Sequence, residues 1–349
     1  MTAPARILLT HPQSALELYY GPRALAGLQA LGDVRTTGSM PGRGADHELA
    51  PDALIALAQD CDIVVSFRGT AAPAALFERL PRLVAFLRCA VDVRNIDLAA
   101  ASAHGVLVTQ ASAGFSAAVA EWTLGAMVDL ARGITTSTLA YRRGAAETPR
   151  LGRELRGSTL GLIGHGRIAR HLIPIAKALG MRVVVHDPHA APDGDAAIER
   201  LGFDDLLAGA DFVVCLATAT EETENLIDAR ALARMKPGAY FINPSRGNLV
   251  DEAALQAALD VGALAGCALD VGRAPDQMPT PALARHPKVI ATPHVGGLTR
   301  PAIEHQSLET VAQVREILQG RAPTGSLNAE AAARLAQASF RSSAAPLPR

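Results

Sequence analysis

The sequence predicts an α/β protein built on a doubly wound parallel sheet, together with a second, smaller α/β domain. Three observations predict this class. Short β-branched runs alternate with helical segments from about residue 158 to 295, and the first hundred residues repeat that alternation more loosely. The chain has 349 residues, enough for about two domains at ~150 residues each. Apolar residues form 49% and charged residues 19% of the chain, so a large buried core is expected.

The strand candidates between residues 158 and 295 are continuous apolar runs, typical of strands buried on both faces of a parallel sheet. They are TLGLIG, RVVVHD, DFVVCLA, AYFINP, GCALDV and KVIATP. The helix candidates between them are RIARHLIPIAKALG, FDDLLAGA, DARALARMKPG and DEAALQAALDVGALAG. Right-handed crossovers between such strands make a doubly wound sheet the expected architecture.

The first hundred residues contain the strand candidates RILLT, CDIVVSF, LVAFLRCAV and GVLVTQ, which predict the second α/β domain. The amphipathic segment PAIEHQSLETVAQVREILQG returns the chain to this domain. We therefore predict a discontinuous domain from residues 1–103 plus 299–330 and a larger domain from residues 104–298. From Ala331 onward the helix and strand signals fade, which predicts a partly ordered tail over 331–349.

The net charge and the cysteine content argue against several classes of function. A net charge of −1 argues against a general nucleic-acid or anionic-membrane binder, and no apolar run approaches the roughly 18 residues of a membrane span. The N-terminus does not resemble a signal peptide. The four cysteines show no C-x-x-C spacing, so we predict buried free thiols in a reducing cytoplasm and no metal site.

A cofactor site is predicted at TLGLIGHGRIAR. Gly164 permits a tight turn after the strand, Gly166 lets the backbone approach a pyrophosphate, and the small Ala169 lets helix and strand pack closely. Arg167 and Ile168 open the helix, whose free N–H groups face the phosphates. Asp187 follows Gly166 by 21 residues at the end of MRVVVHDP. A carboxylate there accepts hydrogen bonds from both ribose hydroxyls and repels a 2′-phosphate, so NAD is favoured over NADP.

Two polar residues follow later strands of the same sheet. Arg246, in INPSRGNLVDEAAL, offers a planar fork of donors for a carboxylate with an adjacent carbonyl. His294, in ATPHVGG, is a group that can give or take a proton near neutral pH. Both come at the edge where parallel α/β sheets bind ligands, and together they suit the reduction of a 2-oxo acid.

The motifs GLIGHGRIAR, MKPGAYFINPSRGNLVDEAAL, ALDV and TPHVGGLT, in this order, resemble the D-isomer-specific 2-hydroxyacid dehydrogenase family over about residues 85–320. The resemblance implies a Rossmann NAD-binding domain, a smaller flavodoxin-like substrate domain, a cleft between them and usually a homodimer. It implies that Arg246 clamps the substrate and that His294 is the acid/base. It also implies that Pro244 and Asp270 lie at the cofactor, with Asp270 at the nicotinamide end.

The chain departs from the family pattern after Asp270. Relatives usually show D-V-F-x-x-E-P, whose glutamate supports the histidine, whereas this chain reads Asp270-Val-Gly-Arg-Ala-Pro-Asp276. The nearest carboxylate is Asp276, just past the proline. Either Asp276 supports His294, or a water or no group at all takes that place.

A second departure lies in RCAVDVRNID, where relatives show a glycine-rich turn that holds the substrate carboxylate. Val91, Asp92 and Arg94 place side chains there. Asp92 and Arg94 either read a polar group on an unusual substrate, or pair with each other or face solvent. In SFRGT, Arg68 is a candidate second cation for the substrate.

The leading hypothesis is an NAD-dependent oxidoreductase that moves a hydride between nicotinamide and a small 2-hydroxy or 2-oxo acid. One alternative is a formate- or phosphite-oxidising dehydrogenase, which needs no proton relay of the same kind. Another is an NAD(H)-sensing binding protein, similar to the corepressors that resemble this family, with little turnover. The presence of Arg246 and His294 in their motifs argues against that last alternative.

Overall fold

A computed structural model describes residues 4–37, 49–146, 148–189 and 198–338, without the side chain of Asp276. The chain divides into two compact units: unit 1 comprises Met1–Gly114 and Arg300–Arg349, and unit 2 comprises Phe115–Thr299. The first sheet continues through a strand at Leu107–Gln110, which pairs with the strand at Ala85–Arg88. The division therefore falls after Gly114, later in the chain than the expected boundary at residue 103.

Unit 1 contains a five-stranded parallel sheet of order β2-β1-β3-β4-β5 among the described residues. Its strands are β1 (Arg6–Leu9), β2 (Asp33–Thr36), β3 (Ile63–Ser66), β4 (Ala85–Arg88) and β5 (Leu107–Gln110). Its first helices are α1 (Gln13–Tyr19), α2 (Pro22–Gln29), α3 (Pro51–Ala58), α4 (Ala74–Arg79) and α5 (Leu98–Ala103). Every residue of β3 and β4 is buried, as continuous apolar runs predict for a sheet covered on both faces. This is the flavodoxin-like strand order.

Within its described residues, unit 2 contains a seven-stranded parallel sheet of order β12-β11-β10-β9-β6-β7-β8. Its strands are β6 (Thr159–Ile163), β7 (Arg182–His186), β8 (Glu199–Arg200), β9 (Phe212–Cys215), β10 (Ala239–Asn243), β11 (Leu264–Leu269) and β12 (Val289–Ala291). Its helices are α6 (Ser116–Arg132), α7 (Ile134–Arg142), α8 (Arg167–Ala178), α9 (Phe203–Gly209), α10 (Ala229–Arg234), α11 (Glu252–Asp260) and α12 (Pro281–Ala284). The strand order reverses between β6 and β9, the point where doubly wound sheets bind ligands. The predicted fold class is confirmed.

Side chains alternate between two apolar clusters on the faces of the second sheet. Val213, Phe241 and Cys267 enter one cluster, and Phe212 and Val214 enter the other. The parallel registers β6·β9 and β6·β7 bring the ends of these strands to one edge. Burial on both faces fixes the register, so the loops that follow the strands are held in place.

After unit 2 the chain returns to unit 1 through α13 (Arg300–Leu318), as the amphipathic pattern predicts, and ends its described part in α14 (Ala333–Gln337). This helix lies in the tail that the sequence predicts to be partly ordered. Leu335 is buried, and the Arg334 guanidinium donates to two carbonyls at the end of α4 and the loop after it, Leu80 and Leu83. Residues 339–349 of the predicted tail lie outside the described residues.

Candidate active site

The predicted cofactor turn joins β6 to α8. Gly164 has φ 103°, and a Cβ built on it would lie 2.6 Å from the carbonyl oxygen of Leu216, so only glycine fits there. Gly166 is the N-cap of α8, and a Cβ on it would meet no heavy atom within 4 Å. Open space thus borders the N–H groups of a twelve-residue helix. This arrangement fits the pyrophosphate of a dinucleotide.

The residues in the first turn of α8 differ in how deeply they are buried. Ala169 is fully buried against β6, which allows the close helix–strand packing predicted for a small residue. Arg167 is exposed, and Ile168 is half-buried and packs against the core cluster below. Both lie at the start of α8, and their contact with a cofactor stays a prediction.

Asp187 follows β7, beside the glycine turn. Its carboxylate accepts hydrogen bonds from the N–H groups of His165 (2.7 Å) and His189 (2.9 Å), one on each oxygen. These bonds hold the carboxylate beside the glycine turn, where the sequence predicts the ribose of the cofactor. The His186 ring turns away toward Leu201 and Phe203. Among the described residues no cluster of His, Cys, Asp and Glu could hold a metal ion.

Arg246 ends the tight turn that follows β10 and precedes the short 3-10 helix Gly247–Leu249. The Asn243 side chain closes this turn, because it donates to the Arg246 carbonyl (2.8 Å) and accepts from the Ser245 N–H (3.0 Å). Pro244 is buried within the turn. The half-buried Arg246 guanidinium donates to the Ser245 carbonyl (2.7 Å). The next residue, Gly247, packs so closely against Gly272 that a Cβ would lie 2.1 Å from that backbone.

His294 lies in the loop after β12, in a left-handed conformation with φ 55°. A left-handed φ costs a non-glycine residue roughly 1–3 kcal/mol and persists only where surrounding contacts enforce it. The His294 N–H donates to the carbonyls of Asp270 and Thr292, each at 3.0 Å. The backbone thus orients a half-buried imidazole at the edge of the sheet.

Asp270 supplies most of the contacts that enforce this loop. Its carboxylate is 2% exposed at residue level and accepts three hydrogen bonds from the histidine loop. One oxygen accepts from the Thr292 hydroxyl (2.5 Å) and the Val295 N–H (2.8 Å), and the other from the Gly296 N–H (2.7 Å). Asp270 was expected at the nicotinamide end of the cofactor. The contacts within the protein make it first a support for the loop that carries His294.

The loop after Asp270 explains the departure from the family pattern. A Cβ on Gly272 would lie 2.5 Å from the Cα of Pro279, because residues 278–279 fold back over it. No side chain fits where relatives show phenylalanine. Asp276 lies in a short 3-10 helix, Pro275–Gln277, and its side chain is outside the described part of the chain. Its support of His294 therefore stays a prediction.

Unit 2 brings the turns with Arg246, Asp270 and His294 to the ends of three neighbouring strands, β10, β11 and β12. The glycine turn follows β6 at the same edge, with β9 between. Sequence reasoning missed two supports of these turns, Asn243 and Arg273. Asn243 carries a signal, because a buried asparagine ending an apolar strand needs partners.

Unit 1 holds the remaining predicted residues. Arg94 donates from Nε and Nη2 to both oxygens of Asp92, at 2.6–3.1 Å. This is the mutual pairing that sequence reasoning left open, and the Arg94 side chain is 58% exposed. Val91 is half-buried in the same loop. The Arg68 guanidinium lies over the Tyr19 ring, 5.1 Å from its centroid.

The Arg68 loop is held by a residue that sequence reasoning missed. Arg88 is fully buried at the end of β4, and its guanidinium donates to the carbonyls of Phe67 and Thr70 and to Asn95 Oδ1. Burial lowers the pKa of Arg88 to about 10. The signal was a single arginine ending the apolar run AFLR, since a buried guanidinium requires several acceptors.

Comparison with known proteins places these features in a family. Residues 124–296 match the model of the D-isomer specific 2-hydroxyacid dehydrogenase NAD binding domain. The chain is 33% identical to human D-3-phosphoglycerate dehydrogenase over 289 residues, which cover 82% of this chain and 54% of the human protein. It is 34% identical to the Methanocaldococcus jannaschii enzyme of the same name, covering 78% and 52%. The chain thus spans about half the length of these relatives.

The structure is also similar to solved structures. The TT0316 protein from Thermus thermophilus matches with a TM-score of 0.82 and 30% identity, over 92% of this chain and 99% of that one. D-2-hydroxyisocaproate dehydrogenase matches with a TM-score of 0.80 and 21% identity, over 93% and 99%. The second likeness shows the fold alone.

Proposed function

Because the chain belongs to the D-isomer specific 2-hydroxyacid dehydrogenase family, we propose that it interconverts a small 2-hydroxy acid and its 2-oxo acid with NAD. The observation that carries the proposal is the arrangement in unit 2. The turns with Arg246 and His294 follow β10 and β12, the two strands that flank β11, at the edge that also holds the glycine turn. A guanidinium and an imidazole so placed supply the two groups that carbonyl reduction requires.

Each residue has a proposed role. The Arg246 guanidinium pairs with the substrate carboxylate and polarises the C2 carbonyl. His294 donates a proton to the C2 oxygen in reduction and removes it in oxidation. Asp276 supports the imidazole, and Asp270 fixes its loop. When bound, the nicotinamide supplies or accepts the hydride.

We assign cofactor contacts to Gly164, Gly166, Arg167, Ile168, Asp187, Pro244 and Asp270. In unit 1 we propose that Arg68, Val91 and the Asp92–Arg94 pair recognise the substrate. The pairing of Arg94 with Asp92 neutralises both charges, so Arg68 is the cation we assign to a polar substrate side chain. A cytoplasmic location is supported by the four free, buried cysteines. No described helix has the length and apolar character needed to cross a membrane.

The test is NADH oxidation with glyoxylate, hydroxypyruvate, pyruvate, phenylpyruvate and 2-oxoglutarate, for the parent and for His294→Ala. Turnover of one acid that is lost in His294→Ala supports the proposal. Tight NADH binding without turnover of any of these acids contradicts it and favours a cofactor-sensing protein. NAD reduction by formate or phosphite would favour the other alternative.

We propose a homodimer formed through α7. This helix has no buried residue, and Ile134 and Tyr141 are 52% and 67% exposed. A groove of about 670 Å³ borders it, and the fully exposed Leu151 lies on its rim. Clustered exposed apolar side chains mark interaction surfaces. Light scattering should give twice the chain mass for the parent and for the control Val261→Glu, and one chain mass for Tyr141→Glu. A dimeric Tyr141→Glu variant would contradict this assignment.

A further inference from the structure

Arg273 is the residue after Gly272 in the loop that follows β11. Its Nη2 has four oxygen acceptors within 2.6–3.1 Å: Glu224 Oε1, Asn225 Oδ1 and the carbonyls of Asn248 and Val250. Its Nε also donates to the Val250 carbonyl (3.1 Å). The side chain is 36% exposed, so solvent reaches only part of it. One guanidinium thus joins its own loop to two other segments of the chain, through side chains at residues 224–225 and through backbone carbonyls at residues 248–250.

Both of those segments meet at the turn that carries Arg246. Asn248 and Val250 come directly after Arg246, around the short 3-10 helix Gly247–Leu249. The Asn225 N–H donates to the Asn248 carbonyl (2.9 Å), and the Asn248 amide donates to Glu224 (2.9 Å). The turn is therefore held from one side by residues 224–225 and from the other by Arg273.

Two features of the backbone show that the contacts around the Arg246 turn are tightly constrained. Asn225 has φ 53°, a conformation that a non-glycine residue keeps only when neighbours enforce it. A Cβ on Gly247 would clash with the Gly272 backbone, and a Cβ on Gly272 would clash with residues 278–279, so neither position admits a side chain. Hydrogen bonds from Asn248 and Arg273 lower the pKa of Glu224, so this carboxylate stays charged and bonded. The geometry leaves the Arg246 turn little freedom.

We propose that Arg273 is a positioning residue for Arg246: its guanidinium fork fixes the turn from which Arg246 reaches the substrate carboxylate. The proposal rests on the function proposed above. A lysine cannot replace it fully, because an ammonium has no planar fork for acceptors on two segments. The effect should fall on substrate binding, since cofactor binding is assigned mainly to the glycine turn and Asp187.

The kinetic test compares Arg273→Met, Arg273→Lys and the control Arg230→Met. Arg230 lies in the same unit and is 93% exposed. We expect KM for the 2-oxo acid to rise about tenfold to a hundredfold in Arg273→Met, because small displacements of a binding group weaken binding steeply. KM should rise less in Arg273→Lys, and KM of Arg230→Met should equal that of the parent. The Kd for NADH should stay unchanged in all three. An unchanged KM, or an equal loss of NADH affinity, would overturn the proposal.

A double variant separates positioning from a general loss of structure. In an Arg246→Lys background, Arg273→Met should raise KM for the 2-oxo acid little further, because the residue that Arg273 positions is already impaired. Additive losses would contradict the proposal.

A second readout needs no activity, which keeps a failure of Arg273 distinct from a failure of the proposed function. Amide hydrogen exchange over residues 245–250 should accelerate in Arg273→Met and not in Arg230→Met. If the parent turns over no 2-oxo acid, the proposed function fails, and this exchange result alone decides whether Arg273 holds the turn. Unchanged exchange in Arg273→Met would overturn the proposal.

Discussion

Replacing Asp270 by asparagine tests how the loop of His294 is held. The carboxylate accepts three hydrogen bonds, two on one oxygen and one on the other. Asparagine offers a single acceptor oxygen and turns an NH2 group toward either Gly296 or the Thr292–Val295 side. At least one buried N–H then loses its acceptor, and the remaining bonds become neutral rather than charge-assisted.

The magnitude follows from these contacts. A buried N–H without an acceptor costs about 1–3 kcal/mol, and a bond to a charged group is worth roughly 1 kcal/mol more than a neutral one. The loop should therefore lose about 3 kcal/mol of support. That loss equals or exceeds the roughly 1–3 kcal/mol that the left-handed conformation of a non-glycine residue costs. The backbone of His294 should therefore relax from φ 55° to a more favourable conformation. If the loss falls on the transition state, kcat drops about a hundredfold.

The assay measures kcat across pH and the Kd for NADH in Asp270→Asn, with Asp228→Asn as control. Asp228 caps α10 through the Ala231 N–H, a role that asparagine also fills, so the control should keep the parent's kinetics. We expect kcat to fall with a changed pH profile while the Kd for NADH changes by less than about threefold. An unchanged kcat with a weakened Kd for NADH would refute the reasoning and make Asp270 a cofactor contact alone.

Three further predictions concern single side chains. Gly166→Val should lower the melting temperature by no more than a few degrees, because no atom lies near its Cβ and only the N-cap preference is lost. It should raise the Kd for NADH at least about tenfold, and calorimetry that shows an unchanged affinity would contradict the assignment of this turn to the pyrophosphate. Burial lowers the pKa of His11 to about 3, so the unfolded chain takes up the proton first and stability declines as pH falls below about 6.5. His11→Phe should abolish this loss, about 2 kcal/mol at pH 5, in urea titrations; equal acid sensitivity would contradict it. Burial raises the pKa of Asp211, but bonds from Lys236 and the Thr159 N–H outweigh it and lower the pKa. Its stabilisation is thus fully present above about pH 4 and is lost as the pH falls further, through the lowered pKa. Asp211→Asn should therefore be less stable than the parent at pH 7, and the difference should shrink as the pH falls below about 4; a difference that does not change with pH would count against this.

Most of the fold could be predicted because the central strands are continuous apolar runs. The predicted runs contain β6, β7, β9, β10 and β12, and all of β11 but its first two residues. The strands that were missed, β2 (DVRT) and β8 (ER), lie at sheet edges and carry polar residues, so no apolar pattern marks them. The helix α14 was missed because its five residues are too few to show a period.

The site divides in the same way. The glycine turn, Arg246 and His294 could be located because each follows a recognisable strand. The supports could not, because they depend on how loops fold. The bonds of Asp270 to the histidine loop require the left-handed turn at His294, and the contacts of Arg273 require two glycine backbones to touch. Neither arrangement leaves a periodic signal in the sequence.

The proposed hydride transfer is tested most directly by tracing the hydrogen from C4 of NADH to C2 of the product. The protein would be supplied with NADH that carries deuterium at both C4 positions and with the best 2-oxo acid. The product would be examined by mass spectrometry and chiral chromatography. We expect a D-2-hydroxy acid with deuterium at C2, formed by the parent and not by His294→Ala. A product without deuterium, or the L-isomer, would contradict it.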